Sequence, residues 1–346
     1  MKITVGIDGQ LEEADILELA SLGADEFFCG IMPKEWTDVY GSQVSTNRRY
    51  GVGEHYHDWN KLQKAISAIH KANKKIIIAF NAPYYIKEHI PLLLDYVKKA
   101  CDMGADALIV SDIELLLRIL ELNYKVAIHI SSDSGAYNSQ TAALFASLGA
   151  ERIIFPRKMT IDEMKGVIAN SRNMEYECFI LEQRCSFDGA YCTATHGWRR
   201  NNFCQFDFQR AMYKHSGNDA VNIVSPDEYI NWKNNRNHYE VWAGGRHPYE
   251  SILTIRGFGI MQCGLYSIKK LEELGITSLK IASREYSKEI RLLSVELVKK
   301  VLSSPDFSEK YCKSGKAHPE ICDMKYICYH DLLLPKLRKI RKTLVQ

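Results

Sequence analysis

The chain has 346 residues, 46% of them apolar and 25% charged, which is enough to bury one large core and too apolar for a disordered chain. Lys and Arg number 45 against 42 Asp and Glu, a net charge of +3, so any nucleic-acid contact has to come from a local groove rather than a polybasic surface. No apolar run approaches the roughly 18 residues of a membrane span, and acidic side chains arrive too early in residues 1–15 for a signal peptide, so a cytoplasmic protein is expected.

Along the chain one unit repeats: a short β-branched or aromatic run, a polar turn, then an amphipathic segment. Strands are expected at 3–7, 26–29, 75–80, 107–111, 126–130, 152–155, 177–181 and 278–282. Between them helical patterns run over 11–22, 59–72, 90–103, 138–148, 161–169 and 268–274, with a last one at 289–302. Gly23-Ala24-Asp25, Gly104-Ala105-Asp106, Gly149-Ala150-Glu151 and Gly275-Ile276-Thr277 look like one joint used four times, a left-handed glycine ending a helix before a strand begins. Eight alternating units imply an α/β fold, a TIM-type (β/α)8 barrel, with a doubly wound open sheet as the rival that pattern alone does not remove. Two connections are too long to be simple joints: 31–58, and 183–262 after the seventh strand. The expected organisation is a barrel over 1–302 that includes the 183–262 insertion, followed by a short helical tail at 303–346.

The insertion carries Cys185, Cys192 and Cys204, and Cys263 stands just before a helical pattern. Thiols gathered this way in a reducing compartment suit an iron–sulfur cluster or zinc, and the alternative is buried apolar thiols. Asp188-Gly189 between the first two is a turn signal that can fold both thiolates toward one ion.

The segment Glu177-Cys178-Phe179-Ile180-Leu181-Glu182-Gln183-Arg184-Cys185-Ser186-Phe187-Asp188-Gly189-Ala190-Tyr191-Cys192 resembles the signature of the collagenase-like peptidase family U32. His129-Ile130-Ser131-Ser132 with Asn138-Ser139, then Leu148 to Ile154, then Arg157 with Thr160-Ile161-Asp162-Glu163, are similar to that family's barrel core in the same order, and Cys263 with Ser278-Leu279-Lys280-Ile281 to its closing strand. The resemblance implies a [4Fe–4S] cluster on Cys185, Cys192, Cys204 and Cys263, with Cys29 in reserve as a ligand. It also implies the chemistry of members that resemble oxygen-independent hydroxylases of RNA bases or ubiquinone precursors, with prephenate as oxygen donor. The sequence departs from the family where Lys-Ile-Glu-Gly-Arg is usual, reading Lys280-Ile281-Ala282-Ser283-Arg284, and where Lys158 follows Arg157. The accessory C-terminal domain of many members is not expected.

These residues contain no His-Glu-x-x-His and no Gly-x-Ser-x-Gly, so proteolysis, which the family label names, is the alternative to an anaerobic hydroxylase; a non-catalytic iron–sulfur partner subunit is another. An organic small molecule or RNA is the expected substrate and a second protein of the same family a candidate partner. Asn81, His129, Arg157 and Arg284 fall at the expected C-terminal ends of the third, fifth, sixth and eighth strands, where a barrel gathers its chemistry, and are the candidate substrate-binding residues. Among weaker signals, 54–58 (Glu-His-Tyr-His-Asp) reads as a helix start rather than a metal pair. Cys312, His318, Cys322, Cys328 and His330 read as tail packing, and the basic run 336–342 as an exposed helix face. Trp198-Arg199-Arg200 beside the cysteines suits a planar or anionic ligand.

Overall fold

Strands buried on both faces must be apolar along nearly their whole length, and runs such as Lys75–Phe80 (KIIIAF) and Ala107–Val110 (ALIV) meet that demand. The computed structural model describes residues 1–42, 44–49, 52–157, 159–170, 174–181, 189–190, 192, 263–284 and 286–304, together with the backbone of 213–216 and 220–223. Its strands are β1 (Lys2–Gly6), β2 (Glu26–Gly30), β3 (Lys75–Phe80), β4 (Ala107–Val110), β5 (Ala127–Ile130), β6 (Arg152–Ile154), β7 (Glu175–Leu181), β8 (Tyr213–Ser216), β9 (Ala220–Ile223) and β10 (Ser278–Ile281). Eight of them pair in parallel as a closed barrel in the order β1-β10-β7-β6-β5-β4-β3-β2. Closure is made by β10, which pairs with β7 on one side and with β1 on the other through Ile3↔Leu279 and Val5↔Ile281, so the barrel and not the open sheet is the fold.

The helices are α1 (Glu13–Leu22), α2 (Lys34–Tyr40), α3 (Trp59–Lys71), α4 (Ile90–Asp102), α5 (Ile113–Glu121), α6 (Ser139–Ser147), α7 (Ile161–Ala169), α8 (Ile268–Leu274) and α9 (Lys288–Ser303). The repeated joint is one structure: Gly23, Gly104, Gly149 and Gly275 all have positive φ. The following amide reaches back five residues each time, as in Ala24 N–H to the Leu19 carbonyl and Ile276 N–H to the Leu271 carbonyl. Two helices lie outside the sequence pattern. The α5 run Ile-Glu-Leu-Leu-Leu-Arg-Ile-Leu-Glu is nonetheless amphipathic, burying Leu115, Leu116 and Ile119, and Asp112 caps it by accepting from the Leu115 amide. In α2 only Trp36 is buried, too little for an amphipathic signal.

By its internal contacts the chain divides into two compact units, Met1–Cys192 with Phe258–Gln346, and Thr193–Gly257. In the second, the described part is the antiparallel hairpin β8–β9.

Alternation along the strands sorts side chains into a helix-facing core and a barrel interior. The interior is layered. Phe28, Ile77, Ile109, Ile154 and Phe179 make an apolar layer. Toward the N-terminal ends of the strands the interior is ionic. Arg152, with 2% of its side chain exposed, bonds both oxygens of Glu26 (2.5 and 2.8 Å), Glu177 (2.9 Å) and Glu175 (2.6 and 2.9 Å). Lys280 bonds Glu177 at 2.7 Å, and Thr4 donates to Glu26. These partners let a charged plug sit where hydrocarbon is the norm.

Candidate active site at the barrel mouth

The C-terminal ends of the strands surround a cavity of about 450 Å³, counting the part open to solvent. Its floor is Phe28, Ile109, Ile154 and Phe179, and among the described residues its wall carries Arg48, Arg49, Arg157, Lys280 and Arg284, five cations against the single carboxylate of Asp133. Asn81 and Ser131 complete a polar edge, with Asn81 donating to the Ser131 hydroxyl (3.0 Å) and accepting from the Arg48 amide (3.2 Å).

Three of the four side chains expected to bind substrate, Asn81, Arg157 and Arg284, line this cavity. The fourth, His129, faces the barrel interior from β5, opposite Arg152 in register, and is not among the lining residues. Burial, and then the Arg152 charge, push its pKa well below the usual histidine range, so it stands as a neutral imidazole.

Arg48 and Arg49 were not legible as site residues, because they come from the long loop after β2. That loop is fastened under the mouth: Thr46 donates to the Ile31 carbonyl, the Tyr85 hydroxyl to the Thr46 carbonyl, and Asn47 accepts from Arg284 at 3.3 Å. Asn47 in turn contacts His55 Nδ1 at 3.1 Å. Burial, and then the nearby Arg284 charge, lower the His55 pKa to about 3. His57 contacts the Met32 carbonyl through Nδ1 (2.7 Å), and Asp58 caps α3 by accepting from the Lys61 amide, so the 54–58 run builds the loop and starts the helix.

Among the described residues the mouth carries more positive than negative charge. Glu54 takes up Arg49 (2.8 Å) and Glu177 takes up Lys280, while Asp133 is shared at longer range by Arg48 (3.6 Å) and Arg157 (3.8 Å). Among the described residues neither Asp133 Oδ1 nor Arg157 Nε, both buried, makes a hydrogen bond. Arg157 lies over the Phe179 ring and Arg284 over Phe28. Burial, reinforced by Arg49, lowers the Arg284 pKa to about 10, which leaves it charged at neutral pH. An anion that brings its own acceptors would satisfy the Arg157 Nε donor, though not the Asp133 oxygen.

A family model described as peptidase family U32 matches residues 15–324. The chain belongs to peptidase family U32. Among curated relatives, tRNA hydroxylation protein P of Escherichia coli (strain K12) is 29% identical over 278 residues, covering 72% of this chain and 59% of that protein. The protein of the same name from Haemophilus influenzae is 25% identical over 277 residues with the same coverage, so the chain spans about three fifths of the length of these relatives. The solved structure of a U32 peptidase aligns at 14% identity and a TM-score of 0.39, over 52% of this chain and 69% of that one.

In this U32 chain the cysteine-bearing segment leaves directly from the end of β7. Cys263 is 1% exposed and forms an isolated antiparallel bridge with Leu181, while the neighbouring Gly264 amide donates to the Ile180 carbonyl. Gly189 is seated on the mouth: a Cβ there would stand 1.6 Å from Asp133 Oδ1, so no side chain fits, and one on Gly135 would meet Ala190 at 3.2 Å. Cys192 follows, half-buried, its amide donating to the Gly189 carbonyl at 3.3 Å. Cys185 and Cys204 lie outside the described residues, as do Trp198, Arg199, Arg200, the tail cysteines and the 336–342 run. Cys29, the reserve ligand, lies with Phe27 in the helix-facing core, next to the inward Phe28, and burial pushes its thiol up to about 12. No group of three or more metal-binding side chains occurs among the described residues, which include two of the four candidate cluster ligands. No helix among the described residues is long and apolar enough to cross a membrane.

Proposed function

We propose that this chain is an iron–sulfur hydroxylase of RNA, acting on a tRNA base without molecular oxygen and drawing its oxygen atom from a small organic dianion such as prephenate. The observation that carries the reading is a mouth cavity with five cations and one carboxylate among the described residues, roofed at Asp133 by Gly189 of the segment that bears Cys185 and Cys192, in a relative of tRNA hydroxylation proteins. Arg157 and Arg284 would hold the carboxylates of the donor, Arg48 and Asn81 would orient it, and the Phe28 and Phe179 rings would cover its carbon frame. Cys185, Cys192, Cys204 and Cys263 would hold a [4Fe–4S] cluster, which supplies electron transfer when bound. A thiolate set of this kind suits iron–sulfur ligation better than an open zinc site. A second U32 protein is a candidate partner in this chemistry, and the cytoplasm its proposed compartment.

The test is anaerobic purification with iron and sulfide analysis, comparing wild type with Cys185→Ser, Cys192→Ser, joined to mass spectrometry of tRNA nucleosides from cells with and without the gene. About four irons per chain, lost in the variant, and a hydroxylated nucleoside that disappears with the gene support the reading. An iron-free protein that cleaves peptides would replace it with proteolysis. Turnover only in the presence of a co-purifying second cluster protein would make this chain a partner subunit.

A further inference from the structure

Lysine is an uncommon residue inside a barrel, and Lys280 lines the cavity from β10 with only 5% of its side chain exposed. Its ammonium lies 3.7 Å from the centre of the Phe28 ring and 2.7 Å from Glu177 Oε1. Arg284 is 5.5 Å from the same ring, so an amine and a guanidinium share one aromatic floor. Arg157 and Arg48 stand on the same wall.

We propose that Lys280 is a nucleophile that forms an imine with a 2-oxo acid bound in the mouth cavity. The arginines would hold the carboxylate of such a ligand, and a carbonyl carbon next to that carboxylate would lie toward the amine below. Glu177 is the proton acceptor the reaction needs. The ammonium gives a proton to Glu177 Oε1, and the freed amine attacks the carbonyl carbon to give a carbinolamine. The carbonyl oxygen then leaves as water, carrying one proton from the nitrogen and the one returned by Glu177. The third proton of the original ammonium stays on the iminium nitrogen, so no oxidant or reductant is consumed. Burial lowers the Lys280 pKa; Glu177 opposes the shift, and the charges of Arg152 and Arg284 add to it, which favours the neutral amine relative to a surface lysine.

The same Lys280–Glu177 contact is compatible with a plain structural ion pair, and a chemical trap separates the two. The purified full chain, without added iron or RNA, is incubated with pyruvate and sodium borohydride and then mapped by peptide mass spectrometry. Reduction would leave a stable N-(1-carboxyethyl) adduct on Lys280, formed faster than on the exposed Lys34 and weak or absent with acetone, which lacks the carboxylate. Arg157→Ala would slow the labelling by about tenfold or more, as expected for losing one charged hydrogen bond to the carboxylate. Lys280→Arg, which keeps a cation beside Glu177, would abolish it. No borohydride-dependent mass on wild-type Lys280, or labelling there no faster than at Lys34, overturns the proposal. Because wild type decides, the result does not depend on a variant folding. It is also independent of the hydroxylase reading, whose failure would appear in iron content and tRNA nucleosides.

Discussion

Arg152 offers the sharpest test of how the barrel is held together, since three carboxylates converge on one guanidinium inside the sheet. Arg152→Met keeps much of the side-chain volume and removes the charge, leaving Glu26 and Glu177 buried with Lys2, Lys280 and Thr4 as their remaining partners. Removing one member of a buried pair costs about 3 to 5 kcal/mol, because the partner charge stays desolvated. The pH dependence gives a second measure. Burial by itself would raise the Glu26 pKa, but the hydrogen bond and charge of Arg152, with Lys2 and Thr4, bring it from 4.5 to about 2. A carboxyl shifted that far contributes about 3 kcal/mol at neutral pH. Since the folded carboxyl is the stronger acid, this stability is complete above pH 4.5 and drains away as the pH falls toward 2. Denaturant unfolding of wild type and Arg152→Met at pH 7, and again across that acid window, should show the full loss at neutral pH and a much flatter acid limb in the variant. Adding Glu26→Gln to Arg152→Met should recover part of the loss, because a buried amide is cheaper than a buried carboxylate. A loss below about 1 kcal/mol at pH 7, or an unchanged acid limb, would refute the plug as a source of stability.

Three further outcomes are expected. Arg48→Ala and Arg157→Ala should each weaken binding of a dicarboxylate such as prephenate by about 10- to 100-fold in calorimetry; an unchanged Kd would remove the mouth as an anion site. Gly189→Ala places a methyl group against Asp133 Oδ1 and should cost about 1 to 3 kcal/mol while exposing the chain at Gly189-Ala190 to protease, whereas wild-type behaviour would show that Gly189 is not seated there. His55 is neutral when buried and must take up a proton on unfolding in acid, so its contribution is complete above pH 6.5 and is lost as the pH falls toward 3. His55→Gln should therefore flatten the stability profile in that window, and an identical profile would remove His55 as a source of acid sensitivity.

The barrel was legible because its signals are local. A β-branched run such as Lys75–Phe80 and a glycine joint such as Gly104-Ala105-Asp106 each state their conformation within a few residues, and repetition states the fold. Arg157 and Arg284 were readable as mouth residues for the same reason, since each follows the end of a recognisable strand by three positions. Arg48, Arg49 and Asp133 carried no such mark. The first two belong to a loop whose position depends on Asn47, Thr46 and Tyr85 finding partners on other elements, and Asp133 sits in a short turn after β5.

By itself the sequence determined the order and number of the βα units, the family resemblance and the strands that point at the mouth, because hydrophobic period and turn chemistry act over short stretches of chain. Tertiary structure alone decided closure through β1 and β10, which lie some 276 positions apart in register. It also decided the charge of the two ends of the barrel interior. Glu26, Arg152, Glu177 and Lys280 look like ordinary strand-edge charges in a linear text. Only when four strands bring them within hydrogen-bond range does their attraction offset the desolvation that would otherwise exclude them, leaving Arg48, Arg157 and Arg284 at the mouth to meet an anion.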